Sequence, residues 1–146
     1  MANRNRSKSS KSRNEDSREL RKVIQDRELL TFSFCYFDQT QPAKEPQTLL
    51  LWQDKQLLKD LVMRLTELSK LTRDEAINQK QIEVYGDFPP KDKTLFFPPK
   101  HIDQQVAWAV IKKISGLVRV AGFISENTFY VVFLDSARPK IGEAGH

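Results

Sequence analysis

The chain is poor in the residues that build metal and redox sites. It has one cysteine, Cys35, and two histidines, His101 and His146. A single cysteine excludes an internal disulfide and any zinc site with several cysteine ligands. The alternating stretch around Cys35 predicts a core position for it rather than a catalytic thiol. Because HxH and HExxH spacings are also absent, we expect neither a metal site nor a cofactor.

Glycine is scarce as well, and long apolar runs are missing. The five glycines are scattered, which excludes GxGxxG, Walker A and Gly-x-Ser-x-Gly motifs. No apolar run approaches the roughly 20 residues of a membrane span, and the basic N-terminus lacks the apolar stretch of a signal peptide. We therefore expect a cytoplasmic protein without membrane contact.

The net positive charge of the chain comes from its N-terminal segment. The first 13 residues contain no acid and five basic residues, Arg4, Arg6, Lys8, Lys11 and Arg13. The whole chain has 24 Lys and Arg against 19 Asp and Glu, so residues 14–146 are formally neutral. Residues 1–14 are too polar to bury a core, which predicts a disordered basic tail. Such a tail either binds nucleic acid through phosphates or only keeps the chain soluble, and both interpretations stay open.

Hydrophobic periodicity divides the rest of the chain. Residues 15–30 favour a short helix, 31–140 form a single domain, and 141–146 fray. Within the domain we predict strands at 31–37, 81–88, 117–124 and 128–135, helices at 48–70, 72–79 and 102–114, and loops at 39–47 and 88–101. Thr72 and Glu75 match a capping box at the start of the second helix. The result is an α+β domain in which helices cover one face of a small, mainly antiparallel sheet, in the order β-α-α-β-α-β-β.

The loop at 88–101 reads FPPKDKTLFFPPKH and is bracketed by two copies of Phe-Pro-Pro-Lys. Basic and aromatic residues alternate in it, and we predict nucleic-acid contacts for Lys91, Lys93, Lys100, Phe96 and Phe97. Cations on phosphates and rings under bases are how single-stranded nucleic acid is usually bound. Alternatively, the rings face the core and the prolines only restrict the loop.

Arg119 is the one charged residue in the apolar strand LVRVAGF. Alternation puts it on the same face as Ala121 and Phe123. A partly buried arginine needs a partner, so either a carboxylate meets it or it lines a concave surface that receives an anion.

The closing hairpin resembles the end of the RelE/YoeB/HigB superfamily of small toxins. The matching pieces are VRVAGF, SEN, TFYVVFLD and SARPK. In that superfamily, basic residues on the concave face of the sheet promote cleavage of messenger RNA on the ribosome. The resemblance implies this role for Arg119 and for Arg138, the basic residue after the last strand. Relative to that superfamily, the loop at 88–101 and the predicted helix at 102–114 are insertions.

Two functional hypotheses follow. In the first, the chain acts on RNA, as a metal-independent endoribonuclease toxin or a degenerate relative. Arg119 would receive phosphate, Arg138 and the loop lysines would rim the site, and His101 would be the acid or base that works near neutral pH. RNA, the ribosome and an antitoxin-like protein are then the expected partners. In the second, it is a non-enzymatic accessory module from a mobile-element or defence locus that binds protein or nucleic acid.

Overall fold

The described part of the chain forms five strands and three helices. The structure is a computed structural model and describes residues 28–136. The elements, in chain order, are β1 Thr31–Ser33, α1 Leu49–Asp54, α2 Leu58–Leu68, α3 Arg73–Asn78, β2 Ile82–Gly86, β3 Ala107–Ser115, β4 Val118–Ser125 and β5 Thr128–Asp135. The predicted basic tail, most of the predicted helix at 15–30, Arg138 and the predicted frayed end lie outside the described residues.

The strands form one mixed sheet in the order β1-β5-β4-β3-β2. β1 pairs with β5 in parallel, and the other neighbours are antiparallel. The α+β class and the mainly antiparallel sheet are confirmed. The predicted element order is wrong, because the chain runs β-α-α-α-β-β-β-β.

The segment predicted as a helix at 102–114 is strand β3 from Ala107 onward. β3 lies between β2 and β4, and four consecutive residues, Trp108–Ile111, are buried in it. A strand covered on both faces carries a continuous apolar run, and such a run also fits helical spacing. Gly116 lies in the turn between β3 and β4 with φ +60°.

The long helix predicted at 48–70 is two helices. α1 ends in a Schellman motif: Gln56 has φ +61°, and the Leu57 N–H donates to the Trp52 carbonyl at 2.8 Å. A glutamine in the left-handed conformation gives no sequence signal, so periodicity could not reveal this break. The capping box of α3 is confirmed, because the Glu75 N–H donates to Thr72 Oγ1 and the Thr72 N–H donates to Glu75 Oε1.

The sheet has a core on each face. On the first face the three helices pack over the strands, and the largest buried side chains include Trp52, Leu61, Leu68, Ile111, Phe129 and Leu134. The second face carries a smaller cluster made of Phe96, Ile102, Trp108, Phe123, Val132 and Phe133. Two of these residues, Phe96 and Ile102, belong to the segment between β2 and β3, which has no helix or strand. An irregular segment therefore covers the second face of the sheet.

A β-bulge at Val132 controls which side chains reach the second face. The pairing moves from Gly122 opposite Val131 to Ala121 opposite Phe133, so Val132 is an extra residue in β5. Val132 and Phe133 both belong to the second-face cluster as a result. The Val132 carbonyl accepts from the Asp38 N–H at 2.8 Å, which attaches the segment after β1 to the bulge.

The predicted strand at 31–37 is shorter than expected, since β1 ends at Ser33. The prediction that Cys35 is a core residue is wrong: the cysteine is exposed. The chain leaves the sheet after Ser33, so the period of two that would bury every second side chain no longer applies at Cys35.

Candidate functional site

A cleft of about 470 Å³ lies between the second face of the sheet and the loop that follows β2. Its floor consists of Trp108, Ala109, Val110, Ala121 and Phe133. The loop supplies Phe88, Pro89, Pro90, Thr94 and Phe96, and the polar side chains are Tyr85, Asp87, Lys93, Arg119 and Asp135. Its size falls within the range of about 300 to 1,000 Å³ for small-ligand sites, and an apolar floor with few polar groups is typical of them.

Aromatic rings fix the shape of the floor. Trp108 and Phe133 are stacked with ring centroids 6.3 Å apart and planes at 11°. Phe88 meets Trp108 edge-on at 4.8 Å, and Phe96 packs on Phe133 at 4.6 Å. Aromatic contacts of this kind hold side chains in defined positions, so the floor is a preformed apolar surface.

The indole N–H of Trp108 is an unused donor in the described part of the chain. No hydrogen bond to another described residue engages it, and no side-chain nitrogen or oxygen there is fully buried without a partner. The N–H therefore meets solvent, although the ring itself is only 4% exposed. A tryptophan that lines a cleft in this way can give a ligand both an apolar surface and a hydrogen bond.

Arg119 enters the cleft from β4, opposite Asp135 in β5. Its Nε donates to Asp135 Oδ2 at 3.2 Å, and the two side chains are 40% and 26% exposed. The predicted carboxylate partner of Arg119 is present, and the residue also lines a concave surface. That this surface receives an anion stays a prediction. Only Nε has a partner among the described residues, so Nη1 and Nη2 can still donate to a ligand.

A second ion pair lies on the same face, between Lys112 of β3 and Glu83 of β2. The Lys112 ammonium donates a hydrogen bond to the Glu83 carboxylate, which raises the pKa of Lys112 above its ordinary value, while burial and the nearby Arg119 charge lower it by less. Lys112 is therefore cationic at neutral pH. Together with Arg119 it gives this end of the sheet face two oriented cations, each held by one carboxylate.

The structure brings some of the predicted loop residues to the cleft and leaves others outside it. Lys93 and Phe96 line the cleft with Arg119, and Phe96 is only 9% exposed, whereas Phe97 is 56% exposed. The Phe97 backbone is held from both sides by Gln41, which accepts from its N–H and donates to its carbonyl. Lys91 and Lys100 are exposed and do not line the cleft.

His101 lies away from the cleft, on Tyr36, with ring centroids 5.8 Å apart. Tyr36 in turn contacts Phe123 and Tyr130, near the other end of β4 and the beginning of β5. The predicted catalytic set of Arg119, Arg138 and His101 is thus not brought together: His101 is elsewhere, and Arg138 is outside the described residues.

The sequence reasoning missed four residues of the cleft, Tyr85, Asp87, Trp108 and Asp135. Trp108 was assigned to a helix. Asp135 ends the most apolar strand, and counting outward from the turn at 125–128 puts Leu134, not Asp135, opposite Arg119. The bulge at Val132 shifts the pairing by one residue and makes Asp135 the partner.

Within residues 28–136, no three His, Cys, Asp or Glu side chains come close enough together to hold a metal ion. None of the helices in that range has the length and apolar character to cross a bilayer. Comparison of the chain with protein-family models, curated proteins and solved structures found no match.

Proposed function

We propose that the chain binds single-stranded RNA, with one nucleotide in the cleft between β2, the loop after it and the sheet. The observation that carries the proposal is the meeting of Arg119, Lys93 and an aromatic floor in one cavity. These groups come from three separate parts of the sequence. A phosphate would accept from the Arg119 Nη atoms and the Lys93 ammonium, while a base would contact Trp108 of the floor and Phe88 of the loop.

The orientation of Arg119 supports an anionic ligand. Asp135 holds its Nε and leaves the two terminal nitrogens free to donate, so little freedom is lost when a planar oxyanion binds. The pair is exposed enough that it contributes little to folding stability. A ligand with both an anion and an apolar ring system therefore fits the cleft better than a purely apolar one.

The surroundings of the cleft favour a polymer over a free nucleotide. Lys91, Phe97 and Lys100 are exposed along the same loop and could contact neighbouring nucleotides. The five basic residues of the N-terminal segment add sequence-independent affinity for phosphates.

The proposal concerns binding. Cleavage, which the toxin resemblance implies, needs a group beside the phosphate that moves a proton. Among the described residues that line the cleft, the titratable groups besides the two cations and Asp135 are Tyr85 and Asp87. Gel analysis of the RNA after incubation separates the two activities: cleavage by the wild type that Arg119→Glu abolishes would extend the proposal to an endoribonuclease.

The binding test uses fluorescence anisotropy with a labelled RNA of about 12 nucleotides at about 50 and about 200 mM salt. In one full-length background, Arg4, Arg6, Lys8, Lys11 and Arg13 are all changed to glutamine, which removes the charge of the N-terminal segment. In that background we expect Arg119→Glu to weaken binding roughly tenfold or more, or about 1.4 kcal/mol. Lys70→Glu is the matched control, because Lys70 is exposed and follows α2 in the helix layer.

Equal affinities of Arg119→Glu and Lys70→Glu would refute the proposal. Loss of RNA binding in the background that carries the five glutamines, the neutral-tail background, would refute it as well. AMP and UMP are titrated in parallel. If they bind as tightly as the oligonucleotide and lose affinity in Arg119→Glu, the ligand is a free nucleotide rather than RNA.

A second candidate function is protein binding without RNA, as in the accessory-module hypothesis. It is favoured by the apolar side chains that the helix layer leaves in solvent: Leu50, Val62 and Met63 are 67%, 60% and 55% exposed. Loss of all RNA binding in the neutral-tail background would favour this function.

A further inference from the structure

A second group of rings lies on the same face of the sheet as the cleft. Tyr36 contacts His101, Phe123 and Tyr130, with ring centroids 5.8, 5.5 and 5.7 Å away. Phe123 and Tyr130 are stacked at 4.7 Å with planes at 16°. Phe123 and Arg119 are both in β4, four residues apart, and a strand rises about 3.3 Å per residue. Arg119 and this ring group are therefore about 13 Å apart along the sheet. The ring of Trp108, in the cleft floor, contacts that of Phe123 at 5.8 Å, so the ring group adjoins the cleft.

This ring group is open to solvent. His101 is exposed, Tyr36 and Tyr130 are half-buried, and only Phe123 is buried. Neither tyrosine hydroxyl has a hydrogen-bond partner among the described residues, and none of the polar side-chain atoms there is fully buried without one, so both hydroxyls meet solvent. A ring group that only closed a core would have no need of a histidine at its exposed edge.

The charges around the rings suit a polyanion. Lys100 is exposed and precedes His101 directly. Two acids lie two residues from the rings in sequence, Asp38 after Tyr36 and Asp103 after His101. Both carboxylates already accept hydrogen bonds, Asp38 from the Thr40 N–H and Gln41 Nε2 and Asp103 from the Gln105 N–H. The exposed Phe97 and Lys100 lie in the loop segment between Phe96, which lines the cleft, and His101.

We propose that His101, Tyr36 and Tyr130 form a second base-contact site for the same RNA strand that occupies the cleft. This inference rests on the proposed function. His101 and Tyr36 would stack on a base, the tyrosine hydroxyls would donate to its edge or to the sugar, and Lys100 would contact the adjoining phosphate. His101 is then a contact residue for RNA and not a proton-transfer group.

The test measures affinity for UMP, taken as a one-nucleotide RNA, and for an RNA of about 12 nucleotides, because a single nucleotide cannot occupy both sites at once. We expect His101→Ala to weaken binding of the longer RNA about fivefold or more and to leave the shorter one unchanged. His101→Phe keeps a ring and should retain wild-type affinity, whereas His101→Lys keeps a cation without a ring and should not. Since His101 is exposed, these variants should fold, and their circular dichroism spectra are compared with that of the wild type to check that they do.

Tyr36→Leu is an independent probe of the same site, and it should also weaken binding of the longer RNA alone. Wild-type affinity for the longer RNA in both His101→Ala and Tyr36→Leu would overturn the inference. So would equal loss for both RNAs in His101→Ala, because the site would then not be separate from the cleft. The proposed function fails separately, if Arg119→Glu leaves the affinity for both RNAs unchanged.

Discussion

Gly122 in β4 has no room for a side chain, so Gly122→Ala is expected to destabilise the fold strongly. A Cβ atom at this position would lie 1.8 Å from the Tyr130 carbonyl oxygen and 3.0 Å from Cε1 of Phe129. The close neighbour is backbone of β5, which cannot rotate away as a side chain would. The two central strands must therefore move apart at the point where the bulge already disturbs their pairing.

The cost follows from that movement. Non-bonded heavy atoms pack best about 3.5 to 4 Å apart, so the strands must separate by roughly 2 Å. Overpacking a core costs about 1 to 3 kcal/mol, and each ladder hydrogen bond that is lost adds about 1 kcal/mol. We expect a loss of about 3 kcal/mol, which lowers Tm by roughly 12 °C or more for a domain of this size.

Gly116→Ala is the matched control. Gly116 has a positive φ, +60°, and nothing lies within 4 Å of its hypothetical Cβ. Its replacement should cost about 1 kcal/mol for the left-handed backbone alone. Thermal and urea denaturation followed by circular dichroism measure both variants. If Gly122→Ala melts within a few degrees of the wild type, or is more stable than Gly116→Ala, the β4–β5 packing described above is wrong.

Three further predictions concern single contacts. Thr72→Ala removes the capping box of α3 and should cost about 1 kcal/mol in urea denaturation, whereas Thr72→Ser should cost little. Gln47→Leu leaves the buried indole N–H of Trp52 without its acceptor at 3.0 Å and should cost about 1 to 3 kcal/mol. Because Glu83 raises the pKa of Lys112, their contact stabilises the fold below about pH 10.4 and is lost as the pH rises through the folded pKa. Glu83→Gln should lower that pKa in an NMR titration, and an unchanged value would contradict the contact.

The parts of the fold that were predicted correctly have local signals. A polar turn between two apolar runs predicts the β4–β5 hairpin, and the Thr-x-x-Glu pattern predicts the start of α3. β3 was missed because Ile102, Val106, Ala109 and Val110 fit a helical stripe. Trp108 belongs to the apolar run as well. Both sides of this strand are buried because the irregular segment between β2 and β3 covers the second face of the sheet.

The candidate site depends on contacts that the sequence does not specify locally. Arg119 was recognisable as a charge in an apolar strand, but its partner Asp135 follows from a bulge that has no sequence signal. The opposite orientations of Phe96 and Phe97 follow from packing on Phe133 and from the backbone contacts with Gln41. His101 was predicted to be the acid or base only because its side chain can titrate near neutral pH. In the structure it contacts Tyr36 in the second ring group.

The two tryptophans of the chain allow the most direct test of RNA binding in the cleft. Trp108 lines the cleft and its indole N–H meets solvent, whereas the Trp52 indole N–H is buried on the helix side and donates to Gln47. Both give separate indole signals in a ¹⁵N–¹H correlation spectrum of the full-length protein. On titration with single-stranded RNA, the Trp108 signal should shift progressively and the Trp52 signal should not. An unchanged Trp108 signal at RNA concentrations that saturate binding would contradict the proposal that the cleft receives a nucleotide.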